Sequence, residues 1–251
     1  MSTDHLELLA VGPHPDDVEL FCAGTVIRSV QQGYRVGVLD LSEGELASNG
    51  TVQERRAEAK EAAMVMGLHH RSNLGLPDGG IESSKPAHIQ AVAEALRALR
   101  PRVLLVPWTQ ARHPDHAAAG HLLKRAAFAA GLAKFDCAGA PHRVQQILHY
   151  QMRHRLRPSF IVDTSAAAEL KLQAILCHRS QVQPGADGVA TLVGSKRVVR
   201  AIQARDQYYG SMIGVDYGEP LLAENTLGIA DPLKHLNDNP YFEAHAYEGL
   251  T

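Results

Sequence analysis

The sequence predicts an α/β fold: a Rossmann-like, open, mostly parallel sheet with helices on both faces and a smaller carboxyl-terminal extension. Three observations predict it. The runs Leu6 to Gly12 and Val103 to Pro107 are almost continuously apolar, as suits strands covered on both faces. Segments of helical periodicity separate such runs and give the order βαβαβαβα over the first half. Both runs also empty into polar turns, on the side where open sheets of this kind bind ligands.

Strand one, Leu6 to Gly12, belongs at the centre of the sheet because it is apolar throughout save Glu7. It breaks at His14-Pro15-Asp16-Asp17, and a helix follows from Asp17 to Gln32, with Leu20, Phe21, Ala23, Val26, Ile27 and Val30 on its apolar side. Gly33 is its stop. The acidic pair therefore stands at a helix amino end, where the dipole favours anions. Strand two is Arg35 to Leu41, and the polar loop Ser42 to Gly50 lies at its carboxyl end, on the side of the site. Helix two, Val52 to Met66, carries Arg55, Glu58 and Ala62 at helical spacing and stops at Gly67. A shorter strand, Ser72 to Leu76, runs into Pro77-Asp78-Gly79-Gly80, which reads as a turn. Helix Ala87 to Leu99 feeds the strand Val103 to Pro107. The loop Trp108 to Arg112 then delivers His113-Pro114-Asp115-His116, and Ala117 to Ala130 is alanine-rich helix.

The Gly/Pro-punctuated segment Phe135 to Arg143 marks a seam. The chain accordingly reads as one domain, with a wound core over 1–134 and the strands and helices of 135–251 packed on it. Beyond the seam the expected elements are strands Gln145 to Met152 and Ser159 to Asp163, and a helix Ser165 to Cys177 capped by Thr164 or Ser165. Gln183 to Val189 is loop. A helix Gly194 to Tyr209 ends at Gly210, and the remainder is irregular, with weak strand signals and polar residues at the end.

Composition narrows the function classes. At 251 residues the chain can bury a substantial core. A formal net charge of -2 with dispersed basic residues leaves no electrostatic stripe for nucleic acid. The short basic run Arg153-His154-Arg155 with Arg157 reads as a solvated edge. No apolar run approaches the roughly 20 residues of a membrane span, and the amino terminus lacks the pattern of a secretory signal. Cys22, Cys137 and Cys177 show no CxxC spacing and read as reduced packing residues. A soluble cytoplasmic protein is expected, with no nucleic-acid or membrane partner.

The chemistry gathers at the two strand ends. His14, Asp17 and His116 offer two imidazoles and a carboxylate, a set that suits a catalytic divalent ion with a position left for water. Asp16 is left unliganded, placed to take a proton from water that the ion has made more acidic. In the second cluster His113 is not needed as a ligand, and Asp115 between the two histidines can hold its ring and favour the imidazolium. Such a cation would stabilise an oxyanion or protonate a leaving amine. An isolated HPDD could equally be a capped helix start, but HPDH at a second strand end weakens that reading. His69, His70, His121, His142 and His149 have no such context and read as surface or hydrogen-bonded histidines. Arg55, beside Arg56, reads by itself as part of a solvated helix face.

At these residues the sequence resembles the LmbE-like, or PIG-L, family of zinc-dependent N-deacetylases. Pro13-His14-Pro15-Asp16-Asp17-Val18-Glu19 matches the family's AHPDDE-type motif after a strand, and His113 to His116 matches its HxDH motif. Arg55, Glu58 and Gly67 stand at the family's Arg-x-x-Glu spacing and closing glycine. Lys171, His178-Arg179-Ser180-Gln181 and Ala204 to Gly210 extend the likeness over nearly the whole chain. Pro13 in place of alanine and Phe21-Cys22-Ala23-Gly24 in place of a more glycine-rich helix start alter packing beside the site and not its ligands.

The resemblance implies Zn2+ on His14, Asp17 and His116, with Fe2+, Co2+ or Mn2+ suited to the same donors. It implies Asp16 as general base, His113 oriented by Asp115 as a charged helper, Arg55 at the substrate, and a tyrosine, Tyr208 or its neighbour Tyr209, polarising the carbonyl. It also implies a homo-oligomer and removal of an acetyl group from an N-acetylglucosamine conjugate. The likeness is nearest to the branch acting on N-acetylglucosaminyl malate in bacillithiol biosynthesis, where Arg55 or another cation would receive the malate carboxylates. Two alternatives are carried beside it. One is a deacetylase of another N-acetylated sugar, such as diacetylchitobiose, or of an antibiotic precursor. The other is a non-catalytic Rossmann-like module binding metal or nucleotide, which the lack of GxGxxG after strand one disfavours.

Overall fold

The structure, a computed structural model, describes residues 5–195 and 197–231. Among them one sheet contains β1 (Leu8–Gly12), β2 (Val36–Ser42), β3 (His70–Leu76), β4 (Val103–Pro107), β5 (Gln146–Tyr150), β6 (Phe160–Asp163) and β7 (Gly218–Ala223). Its order is β3-β2-β1-β4-β5-β7-β6. Strands β1 to β5 run parallel, and β7 lies antiparallel between β5 and β6. The predicted open, mostly parallel α/β sheet is what forms. From β1 the chain winds outward through β2 and β3, then crosses back to place β4 on the other side of β1. The carboxyl ends of β1 and β4 therefore flank the point where the winding reverses, and a crevice opens there.

The helices are α1 (Asp17–Gln31), α2 (Val52–Met66), α3 (Pro86–Leu99), α4 (Pro114–Ala130), α5 (Ala168–Cys177), α6 (Arg179–Val182) and α7 (Val198–Ser211). Side chains alternate along each strand, so one strand feeds two cores. Leu8, Ala10, Val36 and Val38 pack with Val26 and Ile27 of α1 and Ile175 of α5. Leu9, Val11, Leu39 and Leu104 pack with Leu96 of α3 and Leu122 of α4. Burial on both faces is why the strand sequences are apolar without alternation. Helix α2 is held at its ends: Thr51 and Glu54 form a reciprocal capping box, and Gly67 closes it at φ 68°.

Several elements differ from the sequence expectation. Helix α4 begins at Pro114, not Ala117, so Asp115 and His116 lie in its first turn. Proline at the first helical position gives up no hydrogen bond, and its fixed φ suits the helix. The expected helix Ser165 to Cys177 opens as a 3-10 turn over Ser165–Ala167. No hydroxyl of Thr164 or Ser165 caps it; the Asp163 carboxylate accepts from the Ser165 backbone N–H at 2.9 Å. Helix α7 starts later than Gly194 and continues through Gly210 to Ser211. Gly210 serves close approach here and not termination, because a Cβ would stand 2.7 Å from the Val215 carbonyl oxygen. Helix α6 and strand β7 go beyond the regular elements that the sequence leads one to expect. The polar end of the chain lies outside the described residues.

Candidate active site

The first cluster is built on a distorted turn. Asp16, at the amino cap of α1, has φ 144° and makes no side-chain cap bond. A non-glycine residue there costs roughly 1–3 kcal/mol and persists only where neighbours hold it. Here they do. The His14 N–H donates to Asp17 Oδ2 at 3.0 Å, and the Ser42 N–H and hydroxyl donate to the Pro13 carbonyl at 3.0 and 2.9 Å. Arg55 Nη2 donates to the Pro15 carbonyl at 2.8 Å and lies 3.6 Å from Asp16 Oδ1. Burial pushes the Asp16 carboxyl up to about 6, against the opposing charge of Arg55.

Arg55 is buried, not solvated, and its Nη1 donates to the Gly44 carbonyl at 3.0 Å. Gly44 itself has φ 69°, and a Cβ there would stand 1.7 Å from that Nη1. Both the backbone angle and the space demand glycine.

The second cluster is organised differently from the sequence expectation. His113 is the amino cap of α4, and its Nδ1 accepts from the Asp115 backbone N–H at 3.2 Å. That bond leaves the ring proton on Nε2 when the imidazole is neutral. The Asp115 carboxylate is engaged elsewhere: it accepts from the Gly79 and Ile81 N–H groups at 2.7 and 3.3 Å and lies 3.4 Å from His14 Nε2. Asp115 therefore positions His113 through its backbone, and its carboxylate serves His14. The expected imidazolium at His113 is not favoured either, since burial and the charges of His116 and His14 lower its pKa.

The two clusters converge. Asp17 Oδ2 is 3.2 Å from both His14 Nδ1 and His116 Nε2, and the ligand atoms of this trio lie within 4.8 Å of one another. On the far side of the ring, Asp78 Oδ1 stands 3.0 Å from His14 Nε2, beside Asp115. Burial opposes charge on His14, yet Asp115, Asp17 and Asp78 hold its proton so tightly that its pKa is pushed up to about 12. Against their own burial, Asp17 is held well below the usual carboxylate range by His116 and His14, and Asp78 is lowered to about 2 by His14.

Carboxylates gathered this densely need a cation, and the donor set His14, Asp17 and His116 fits a divalent ion. Carboxylates on His14 Nε2 are also the partners expected behind a ligating imidazole. A second trio, His14, His113 and Asp115, is equally close. It fits less well, because the Asp115 carboxylate already accepts two backbone N–H groups and His113 Nδ1 accepts a third.

These groups open onto a cavity of about 480 Å³ whose lining includes Asp16, Arg55, Asp78, Arg112, Arg153 and Gln181. For Asp78, Arg153 and Gln181 the sequence by itself gives no place at the site. Asp78 reads in sequence only as part of a turn, although that turn sits at the carboxyl end of a parallel strand. Arg153 reads as a solvated edge and is exposed, yet it borders the cavity, and Gln181 carries no assigned role. Tyr208 does not line the cavity: it is 47% exposed, and its hydroxyl accepts from Arg155 Nη2 at 2.6 Å. Tyr209 is buried and donates to Gln151 Oε1 at 2.5 Å. Helix α7 turns one tyrosine to solvent and the other to the core.

Several motif residues act as supports behind the site. Glu58 accepts from the Ser180 N–H and hydroxyl at 2.7 Å each, fixing the segment that carries Gln181. Lys171 bridges Asp206 and Glu219 at 2.6 Å each. Glu19 pairs with Arg71 and lies 3.3 Å from His178 Nε2 under the start of α1.

A wound α/β sheet with a His/Asp cluster and a spare buried carboxylate at its winding reversal is an enzyme's arrangement. The family described as PIG-L, GlcNAc-PI de-N-acetylase, matches residues 9–127, the part of the chain that carries both clusters. Across the longer span, the chain is 29% identical to a diacetylchitobiose deacetylase of Thermococcus kodakarensis over 231 residues, 86% of this chain and 82% of that protein. It is 26% identical over 131 residues to a probable N-acetyl-alpha-D-glucosaminyl L-malate deacetylase of Bacillus anthracis, 47% of this chain and 58% of that one. The crystal structure of the conserved protein TT1542 from Thermus thermophilus superposes with a TM-score of 0.82 at 42% identity, covering 90% of this chain and 98% of that one. The chain belongs to the PIG-L, or LmbE-like, deacetylase family.

Proposed function

We propose that the protein is a metal-dependent N-deacetylase of an N-acetylglucosaminyl conjugate, acting on N-acetylglucosaminyl malate as in bacillithiol biosynthesis, in the cytoplasm. The observation that carries the chemistry is the convergence of His14, Asp17 and His116 on one point beside Asp16, which stays outside the ligand set. Zn2+ is the ion proposed, and Fe2+, Co2+ or Mn2+ would suit the same donors. Held there, the ion would polarise the amide carbonyl and lower the pKa of attacking water.

The chain's own residues then divide the work. Asp16, kept ionised by Arg55, accepts the proton of the water as its oxygen bonds to the acetyl carbon. His113 donates its Nε2 proton as a hydrogen bond to the carbonyl oxygen while charge gathers on it. Asp16 then returns its proton to the nitrogen as the C–N bond breaks, leaving acetate and a free amine. Asp115 and Asp78 hold the His14 ring, and Asp115 also fixes His113 through its backbone N–H. Tyr208 is given no part.

The malate conjugate is supported by the Bacillus anthracis relative and by the motif likeness, and diacetylchitobiose by the Thermococcus relative. Acetate release from N-acetylglucosaminyl malate, diacetylchitobiose and N-acetylglucosamine, run beside metal analysis of the purified protein, separates them. The malate conjugate is expected to give the highest kcat/KM, with about one ion per chain. Equal rates on all three would remove the malate assignment, and activity persisting after complete chelation would remove the metal.

A further inference from the structure

We propose that Arg112 and Arg153 form an anion subsite at the mouth of the cavity, which selects conjugates carrying a carboxylate or phosphate on the aglycone. The inference rests on the deacetylase reading and goes beyond it by naming which residues choose the substrate.

Both side chains line the cavity that contains Asp16 and His116. They come from different elements. Arg112 ends the turn after β4, next to His113, and Arg153 follows β5, the neighbouring strand. Among the described residues neither has a hydrogen-bond or ion-pair partner, and this sets them apart from Arg55, Arg71, Arg155 and Arg205. Arg55 is bonded to two carbonyls, Arg155 to the Tyr208 hydroxyl, Arg205 to Asp206, and Arg71 to Asp40 and Glu19.

Both residues are exposed, and partial desolvation and the charge of Arg112 lower the Arg153 pKa against the pull of Asp17 and Asp16. Two guanidiniums that border one cavity and hold no hydrogen-bond or ion-pair partner among the described residues form an arrangement that an incoming anion completes.

The rest of the cavity gives direction. Its buried end holds His14, Asp17 and His116, the set reserved for the metal and the acetamide, with Asp16 and Asp78 beside them. The lining also includes Leu46, Leu192 and Val193, which have no charge to offer. With that end occupied by the acetamide, an anionic aglycone is best received at the exposed arginine pair, and that orientation points the acetamide inward. Arg55, the cation that the sequence suggests for the malate carboxylates, is already committed to the Gly44 and Pro15 carbonyls.

The test compares wild type with Arg112→Met, Arg153→Met and the double variant on three substrates. These are N-acetylglucosaminyl malate, N-acetylglucosamine 1-phosphate and the uncharged methyl N-acetylglucosaminide. Each single substitution is expected to raise KM for the preferred anionic substrate about tenfold, the usual size of a lost charged hydrogen bond. In the double variant the ratio of kcat/KM between anionic and uncharged substrates should collapse towards one. Whether malate or phosphate is preferred in wild type identifies the anion. A ratio that survives the double substitution overturns the subsite.

A binding arm keeps the two readings apart. Calorimetry with free malate and inorganic phosphate should show binding to wild type that weakens at least tenfold in the double variant, whether or not any conjugate is turned over. Equal binding to both proteins, or no binding to wild type, refutes the subsite while leaving the deacetylase assignment standing.

Discussion

The two His-Pro-Asp sequences of this chain make the same connection, from a central parallel strand into a helix, and their like residues do different things. His14 is buried among three carboxylates and holds its proton to about 12. His113 caps a helix, and its pKa is lowered. The Asp16 carboxylate faces the cavity and is pushed up to about 6 by burial; that of Asp115 is held low, against its burial, by His14 and by two backbone N–H groups. The cause is the phase of the helix start. Helix α1 takes the third residue of its motif as amino cap, whereas α4 takes the first. A shift of two residues turns one aspartate out towards substrate and the other into the scaffold. Residue type alone therefore does not assign a role here; the capping position does.

The largest effect that would break this contrast is on turnover. Asp16→Asn is expected to lower kcat about 10³-fold, within the range for loss of a general base, while bound metal stays at the wild-type level. Asp115→Asn is expected to act through the His14 ring, weakening metal affinity about 10–100-fold, with activity returning when metal is added. Acetate release at rising metal concentration, paired with metal analysis, reads both. If excess metal rescued Asp16→Asn as fully as Asp115→Asn, the two aspartates would share one role.

The histidines differ by a proton. An ion can bind only neutral His14, yet the surrounding carboxylates raise that pKa to about 12. Binding must therefore expel the proton at any neutral pH. Raising pH makes that easier, so affinity should rise about tenfold per pH unit between pH 7 and 9, with about one proton released as measured by calorimetry in buffers of different ionisation enthalpy. His113→Gln should keep that slope, and His14→Gln should lose both the released proton and most of the affinity. A flat affinity profile in the wild type would show that His14 is neutral before the ion arrives.

Much of this is legible in the sequence because it depends on local pattern. Helix α2 and strand β4 fall on the residues expected, since capping and apolar runs fix them. The meeting of His14, Asp17 and His116 can be anticipated because adjacent parallel strands bring their carboxyl ends together. The facts that escape are those that local pattern does not encode. The start of α4 is hidden because histidine is a weak cap signal and Pro114 reads equally as loop. Asp78 is easily passed over because aspartate before two glycines is ordinary turn chemistry, and only the tertiary structure sets it 3.0 Å from His14. Arg153 is exposed, as its basic neighbours in sequence suggest, but that it borders the cavity follows only from its neighbours in space. Tyr208 and Tyr209 cannot be told apart by motif, and they part in the structure because adjacent residues on a helix point about 100° apart.

The smallest expected effect isolates the cap itself. His113 Nδ1 accepts the Asp115 N–H that would otherwise be an orphan donor in the first turn of α4. Removing it by His113→Ala should cost on the order of 1 kcal/mol of stability, as for other amino caps. Asparagine is a good cap residue but lacks a ring N–H facing the cavity, so His113→Asn should recover most of that stability and none of the rate. Urea unfolding of the two variants beside wild type, with turnover measured on each, separates the structural duty of this imidazole from its chemical one. If both variants were equally destabilised, the Nδ1 bond would not be what anchors the helix. The two motifs would then have to differ for a reason other than where their helices begin.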